Sequence, residues 1–105
     1  MKLYIGGAFQ GQEELARREN PSAEIIADFH LLLKDFGGDP RAFAEDFCRE
    51  HPDAVIVADE IGCGVVPVDR NNRAWREAAG RALCVLAQKS ESVIRVICGI
   101  GVRIK

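Results

Sequence analysis

The chain has 105 residues, 48% of them hydrophobic and 29% charged, so one domain spanning 1–105 around one core is expected. Lys and Arg number 14 against 16 Asp and Glu, with a pI near 5.7, which argues against a general electrostatic grip on nucleic acid. No apolar run approaches the roughly 18 residues of a membrane span, and Met1-Lys2-Leu3-Tyr4-Ile5-Gly6-Gly7 carries no signal-peptide pattern, so a cytoplasmic chain without a membrane partner is expected.

Turn residues divide the chain into short segments. Leu3-Tyr4-Ile5, stopped by Gly6-Gly7, predicts a buried strand. Gln12 to Glu19 is rich in helix formers and ends before Asn20-Pro21. Glu24 to Phe29 is a second strand candidate, and Leu31 to Phe36 predicts a helix ended by Gly37-Gly38. Asp39 then offers a cap and Pro40 a first helical position, with Phe43, Ala44, Phe47 and Cys48 on one face. Ala54-Val55-Ile56-Val57-Ala58 is short, branched and apolar without alternation, the pattern of a strand covered on both faces. A glycine-rich loop follows over 61–67. A long helix is predicted from about Asn71 to Ala87, burying Trp75, Ala78, Ala79, Ala82, Leu83 and Leu86. Val93 to Cys98 is the last major strand, and Val102-Arg103-Ile104 could turn back beside it as an edge strand.

Strands alternating with helices predict an α/β fold: a mainly parallel sheet with helices on both faces, in three layers, closed by a short antiparallel edge strand. Ligands in such folds bind beyond the carboxyl ends of the strands. The Gly6 to Gly11 loop, Asp28 and Asp59-Glu60 fall at those ends, so one shared cleft is expected.

The four cysteines contain no C-x-x-C pair and read as reduced thiols. Cys48, Cys84 and Cys98 sit in apolar patterns and are expected in the core, whereas Cys63, between glycines, is the more exposed. His30 reads as a partly buried residue at a helix start and His51 as a solvated turn residue. Neither supplies the clustered ligands that zinc needs.

Gly6-Gly7-Ala8-Phe9-Gln10-Gly11-Gln12-Glu13 has the length and position of a phosphate-binding loop. Such a loop needs glycines so that backbone N–H groups can surround phosphate, a lysine for the outer phosphates and a hydroxyl for magnesium. Gly6 and Gly11 keep the frame, but Gln12 stands at the lysine position and Glu13 at the hydroxyl position. Two glycines five apart also suit a plain strand-to-helix turn, and both readings stay open on spacing alone.

The second half is more specific. Asp59-Glu60-Ile61-Gly62-Cys63-Gly64-Val65-Val66-Pro67 resembles the Asn-Glu-Val-Gly-x-Gly-Ile-Val-Pro signature of the adenosylcobinamide kinase/adenosylcobinamide-phosphate guanylyltransferase family of cobalamin biosynthesis. Arg73-Ala74-Trp75-Arg76-Glu77-Ala78-Ala79-Gly80-Arg81 is similar to its Arg-x-Phe-Arg-Asp-x-x-Gly-Arg stretch, and 96–105 to its C-terminal Val-Ser-Gly-Ile-x-x-x-Ile-Lys. Gly6-Gly7-Ala8 resembles the opening of its phosphate loop. The resemblance implies a P-loop NTPase-like architecture, often a homo-oligomer, using GTP or ATP with Mg²⁺ and a guanylylated histidine on a corrinoid substrate. Carried over, Gly6, Gly7, Ala8, Gly11, Gln12 and Glu13 form the phosphate loop, Asp28 matches the acidic magnesium residue, and Glu60 matches the signature glutamate.

The departures weaken the chemistry. Gln12 removes a positive charge, and Glu13 places a carboxylate at a helix N-terminus, where it competes with phosphate. The histidine-bearing segment is missing, since 17–23 is all that separates the loop helix from the next strand candidate. Asp59 replaces the signature asparagine, and Leu83-Cys84 replaces an Asn-Gln pair on the long helix. Phe9 and Gln10 stand where the family has polar residues and could close the phosphate pocket. Adjacent Asp59 and Glu60 point oppositely on a strand end, so at most one of them is expected in the cleft, and the family pattern selects Glu60. Arg73, Arg76 and Arg81 could bind an anion, but a solvated helix face with Glu77 as ion-pair partner is the preferred reading. Trp75 reads as a core anchor. The expectation is a family member whose transferase reactions are weak or absent. Two alternatives accompany it: a non-catalytic binding or assembly module, and an acidic metal site built from Glu13, Asp28 and Glu60.

Overall fold

A computed structural model describes residues 1–61 and 70–105. The sheet has five strands: β1 (Lys2–Gly6), β2 (Ile25–Ile26), β3 (Val55–Asp59), β4 (Ser92–Ile97) and β5 (Ile100–Arg103), in the order β2-β3-β1-β4-β5. The first four run parallel, and β5 returns antiparallel to β4. Three α-helices connect them: α1 (Gln12–Glu19), α2 (Pro40–Glu50) and α3 (Arg70–Lys89). This is the expected α/β architecture with its antiparallel edge.

Alternation along the covered strands sends successive side chains to opposite faces. Leu3, Ala54, Ile56, Ala58 and Val93 pack beneath α2 and α3, joined by Phe29, Leu33, Phe47 and Leu86. Tyr4, Val55, Val57 and Val96 pack on the other face against Leu15 and Ala16 of α1. The sheet is therefore the middle of three layers. Asp39 caps α2 by accepting from the Arg41 N–H at 3.0 Å, with Pro40 in the first turn, as the sequence indicated.

Three local expectations are corrected. The strand predicted over Glu24 to Phe29 pairs only at Ile25–Ile26, because Asp28 adopts a left-handed conformation (φ 57°) that turns the chain out of the sheet. The helix predicted from Leu31 is a 3₁₀ helix over Phe29–Leu33, confined between that turn and a second left-handed residue, Asp35. Cys84 and Cys98 are exposed rather than buried: Cys84 lies on the outer side of α3, and Cys98 follows the end of β4 in a tight turn with φ 52°. Cys48 is partly buried against the core. The glycine-rich loop beyond Ile61, with Cys63, lies outside the described residues. No described helix is long and apolar enough to cross a membrane.

Candidate functional site

The carboxyl end of β1 sits between β3 and β4, with Gly6 opposite Asp59 on one side and Val96 on the other. The chain leaves β1 in the loop 7–11 and enters α1 at Gly11, whose φ of 86° suits glycine. No side chain caps α1, and Glu13 and Glu14 occupy its first turn. The Glu13 carboxylate accepts from Arg17 Nε at 3.0 Å one turn along the helix, so the carboxylate nearest the loop is already half-neutralised on the outer side of α1.

Gln12 is 5% exposed and fills the space inside the loop. Its Nε2 donates to the Asp59 carboxylate at 2.8 Å and lies 3.1 and 3.2 Å from the carbonyl oxygens of Gly7 and Gly6. One neutral amide thus ties both loop carbonyls to the end of β3. Gln10 turns away from the loop interior. Its carbonyl accepts from the Gly99 N–H and its side chain from the Cys98 N–H, both at 2.7 Å, pinning the loop to the β4–β5 turn. Phe9, with φ 61°, projects fully into solvent at the rim.

Asp59 is held from behind by His30, which is 5% exposed. The Asp59 N–H donates to His30 Nδ1 at 3.0 Å, which leaves the imidazole proton of the neutral ring on Nε2, 3.6 Å from the Asp59 carboxylate. Trp75 Nε1 donates to the His30 carbonyl at 2.7 Å, and its ring stacks on the imidazole with centroids 6.2 Å apart. Burial pushes the Asp59 carboxyl above the ordinary carboxylate range. Nearby Asp28 raises it further, and the Gln12 hydrogen bond lowers it.

Asp28 and Asp59 line one cleft of about 510 Å³ with Phe9, Gln12, Glu13 and Glu14. Ala8 and Gly11 also border it, whereas the Gly6 and Gly7 carbonyls face Gln12. Glu60 does not join this cleft. Its backbone N–H donates to the Gly6 carbonyl at 2.7 Å, and its carboxylate meets Arg95 Nε at 3.2 Å beside an apolar pocket lined by Ile5, Ile61 and Leu83. One of the two adjacent acids therefore faces the loop, as expected from the strand geometry, and it is Asp59. The sequence missed His30 as the group that positions Asp59. Contact between the 3₁₀ segment and β3 leaves no spacing signal in the chain. His51 is partly exposed, with Nδ1 3.2 Å from Glu24.

The cleft presents four carboxylates and no lysine or arginine among its described lining residues. A triphosphate is usually met by cations, and none stands among these described lining residues. Glu13 stands where a hydroxyl is needed, and no group of three or more His, Cys, Asp or Glu among the described residues is placed to hold a metal.

A glycine loop joining the central strand of a parallel sheet to a helix, with an acid at the end of the neighbouring strand, defines the P-loop-like class of α/β folds. The sequence pattern of the cobinamide kinase/cobinamide phosphate guanyltransferase family matches residues 30–104. The chain is 35% identical over 92 residues to the bifunctional adenosylcobalamin biosynthesis protein CobU of Escherichia coli K12, covering 70% of this chain and 51% of that protein. It is 42% identical over 59 residues to the protein of the same name from Salmonella typhimurium LT2, covering 55% of this chain and 33% of the relative. The chain belongs to the cobinamide kinase/cobinamide phosphate guanyltransferase family. It spans about half the length of the first of these relatives and a third of the second. The loop 6–13 precedes the span that the family pattern matches.

Proposed function

We propose that this chain keeps the family's scaffold while nucleotide-dependent transfer at the loop is weak or absent, and that it serves as a binding or assembly module. The observation that carries this reading is Gln12, whose amide is seated on the Gly6 and Gly7 carbonyls and on Asp59 in a cleft whose described charged residues are all acidic. Phosphoryl transfer depends on preorganised positive charge around the moving group, and removing one such donor typically costs about 10²-fold or more in rate. Here Gln12 stands in place of a cation, and no lysine or arginine is among the described residues lining the cleft.

The test is turnover of adenosylcobinamide with ATP or GTP and Mg²⁺, following both phosphate and GMP incorporation by mass spectrometry. The expected outcome is no product above the enzyme-free control. Turnover as fast as that of a full-length relative assayed alongside would overturn the proposal.

The same reading includes a corrinoid-related ligand and self-association. Ile97, Ile100, Val102 and Ile104 are exposed on the outer hairpin of the sheet, an apolar surface suited to a second copy. Sedimentation velocity should give a mass above 11.5 kDa per particle at micromolar protein. A monomer at all concentrations would remove self-association from the reading.

A further inference from the structure

Away from the loop, α2 and α3 form an elongated groove of about 910 Å³. Arg41 contributes from α2, and Arg73, Arg76 and Arg81 from α3, against two carboxylates, Glu45 and Glu77. Glu77 is already used, since Arg81 holds it at 2.6 Å. Neither Arg41 nor Arg73 has a carboxylate within ion-pair distance among the described residues. The described lining thus sets four arginines against two glutamates on a chain whose formal net charge is -2.

Its shape selects among anions. The α3 side runs from Arg73 to Gln88, a rise of roughly 22 Å at the helical pitch. Arg73 and Arg81 stand eight residues apart on it, roughly 12 Å. The lining comes from within helices, whose N–H groups are already bonded, so no backbone nest gathers a single phosphate. Between the guanidinium groups the floor is apolar or bare. Val85 and Cys84 line it, and a Cβ at Gly80 would meet nothing within 4 Å. Cations spaced along an apolar floor match carboxylates repeating every turn or two of a helix that also carries an apolar stripe.

We propose that the α2–α3 groove docks an acidic amphipathic helix of a partner protein. Arg41 and Arg73 pair with its carboxylates, and the Gly80–Cys84 floor takes its apolar edge. The proposal does not depend on the state of the loop cleft.

The experiment uses the intact chain and a fluorescein-labelled 16-residue peptide with glutamates on one helical face and leucines on the other. Anisotropy at low salt should give saturable binding. The double variant Arg41→Glu, Arg73→Glu should weaken it at least tenfold while keeping the wild-type circular dichroism spectrum and melting curve. A peptide with lysine in place of glutamate should not bind. Amide shifts on the wild-type chain should concentrate in 41–49 and 73–88, a readout that stands even if the double variant folds poorly. Equal affinity in the double variant, or shifts centred on the loop 6–13, would overturn the proposal. So would displacement of the peptide by tripolyphosphate at equal affinity, which would make the groove a small-anion site. A wild-type dimer abolished by the double variant would also overturn it, by making the occupant a second copy.

Discussion

One amide nitrogen carries two protons, yet Gln12 Nε2 lies within 3.2 Å of three oxygens. The bonds are shared, and Asp59, the charged and nearest acceptor, takes the strongest. Asp59 pays for this position with partial burial beside Asp28, which raises its carboxyl pKa. The folded state therefore holds a proton more tightly than the unfolded chain just above the ordinary carboxylate value of about 4. The ionised carboxyl costs stability at neutral pH, and the cost is relieved as pH falls through that window. Asp59→Asn keeps an oxygen to accept from Gln12 and removes the charge. It should raise the melting temperature at pH 7, with the gain shrinking towards zero below pH of about 4. Thermal melts of both proteins across pH 3 to 8, on the order of one unit per step, check this; a gain that grows in acid contradicts it. The residue types at 12 and 13 were legible in the sequence, and so was their conflict with phosphate chemistry. Which of Asp59 and Glu60 meets the loop was not legible. Alternation requires them to diverge, but the side that each takes depends on the layer packed against β3.

At the scale of the elements, the loop is positioned by how tightly β1 ends against β4. A Cβ on Gly6 would fall 2.6 Å from the Val96 carbonyl oxygen, a backbone atom that cannot swing aside. Gly6→Ala must part the two strands or distort the loop. It should destabilise the chain by about 1–3 kcal/mol, the usual cost of overpacking. Urea unfolding should show a lower midpoint at unchanged slope, and a midpoint equal to wild type would contradict the packing described. The helices were the most legible elements. Gln12–Glu19 lies between Gly11 and Asn20, and Pro40–Glu50 is announced by the Asp39 cap. The segment 24–36 was least legible. Its apolar residues suggested a strand and a helix, but the left-handed turns at Asp28 and Asp35 shorten both. Non-glycine left-handed residues carry a weak sequence signal, because aspartate also serves as an ordinary turn or cap residue.

Across the whole molecule, the charges are separated more than a formal net charge of -2 suggests. The loop cleft holds four carboxylates, while the α2–α3 groove holds four arginines against two glutamates. The parallel sheet with helices on both faces followed from the alternation of segments, but the order β2-β3-β1-β4-β5 did not. That order places Gly6 opposite Asp59, and so lets Gln12 bridge them. The most direct test is calorimetric titration of MgGTP into the wild-type chain and into the double variant Gln12→Lys, Glu13→Ser. No measurable heat of binding is expected in the wild type at millimolar nucleotide, against saturable binding in the variant, which gains an ammonium group and loses a carboxylate. Micromolar binding of MgGTP to the wild-type chain would contradict this expectation.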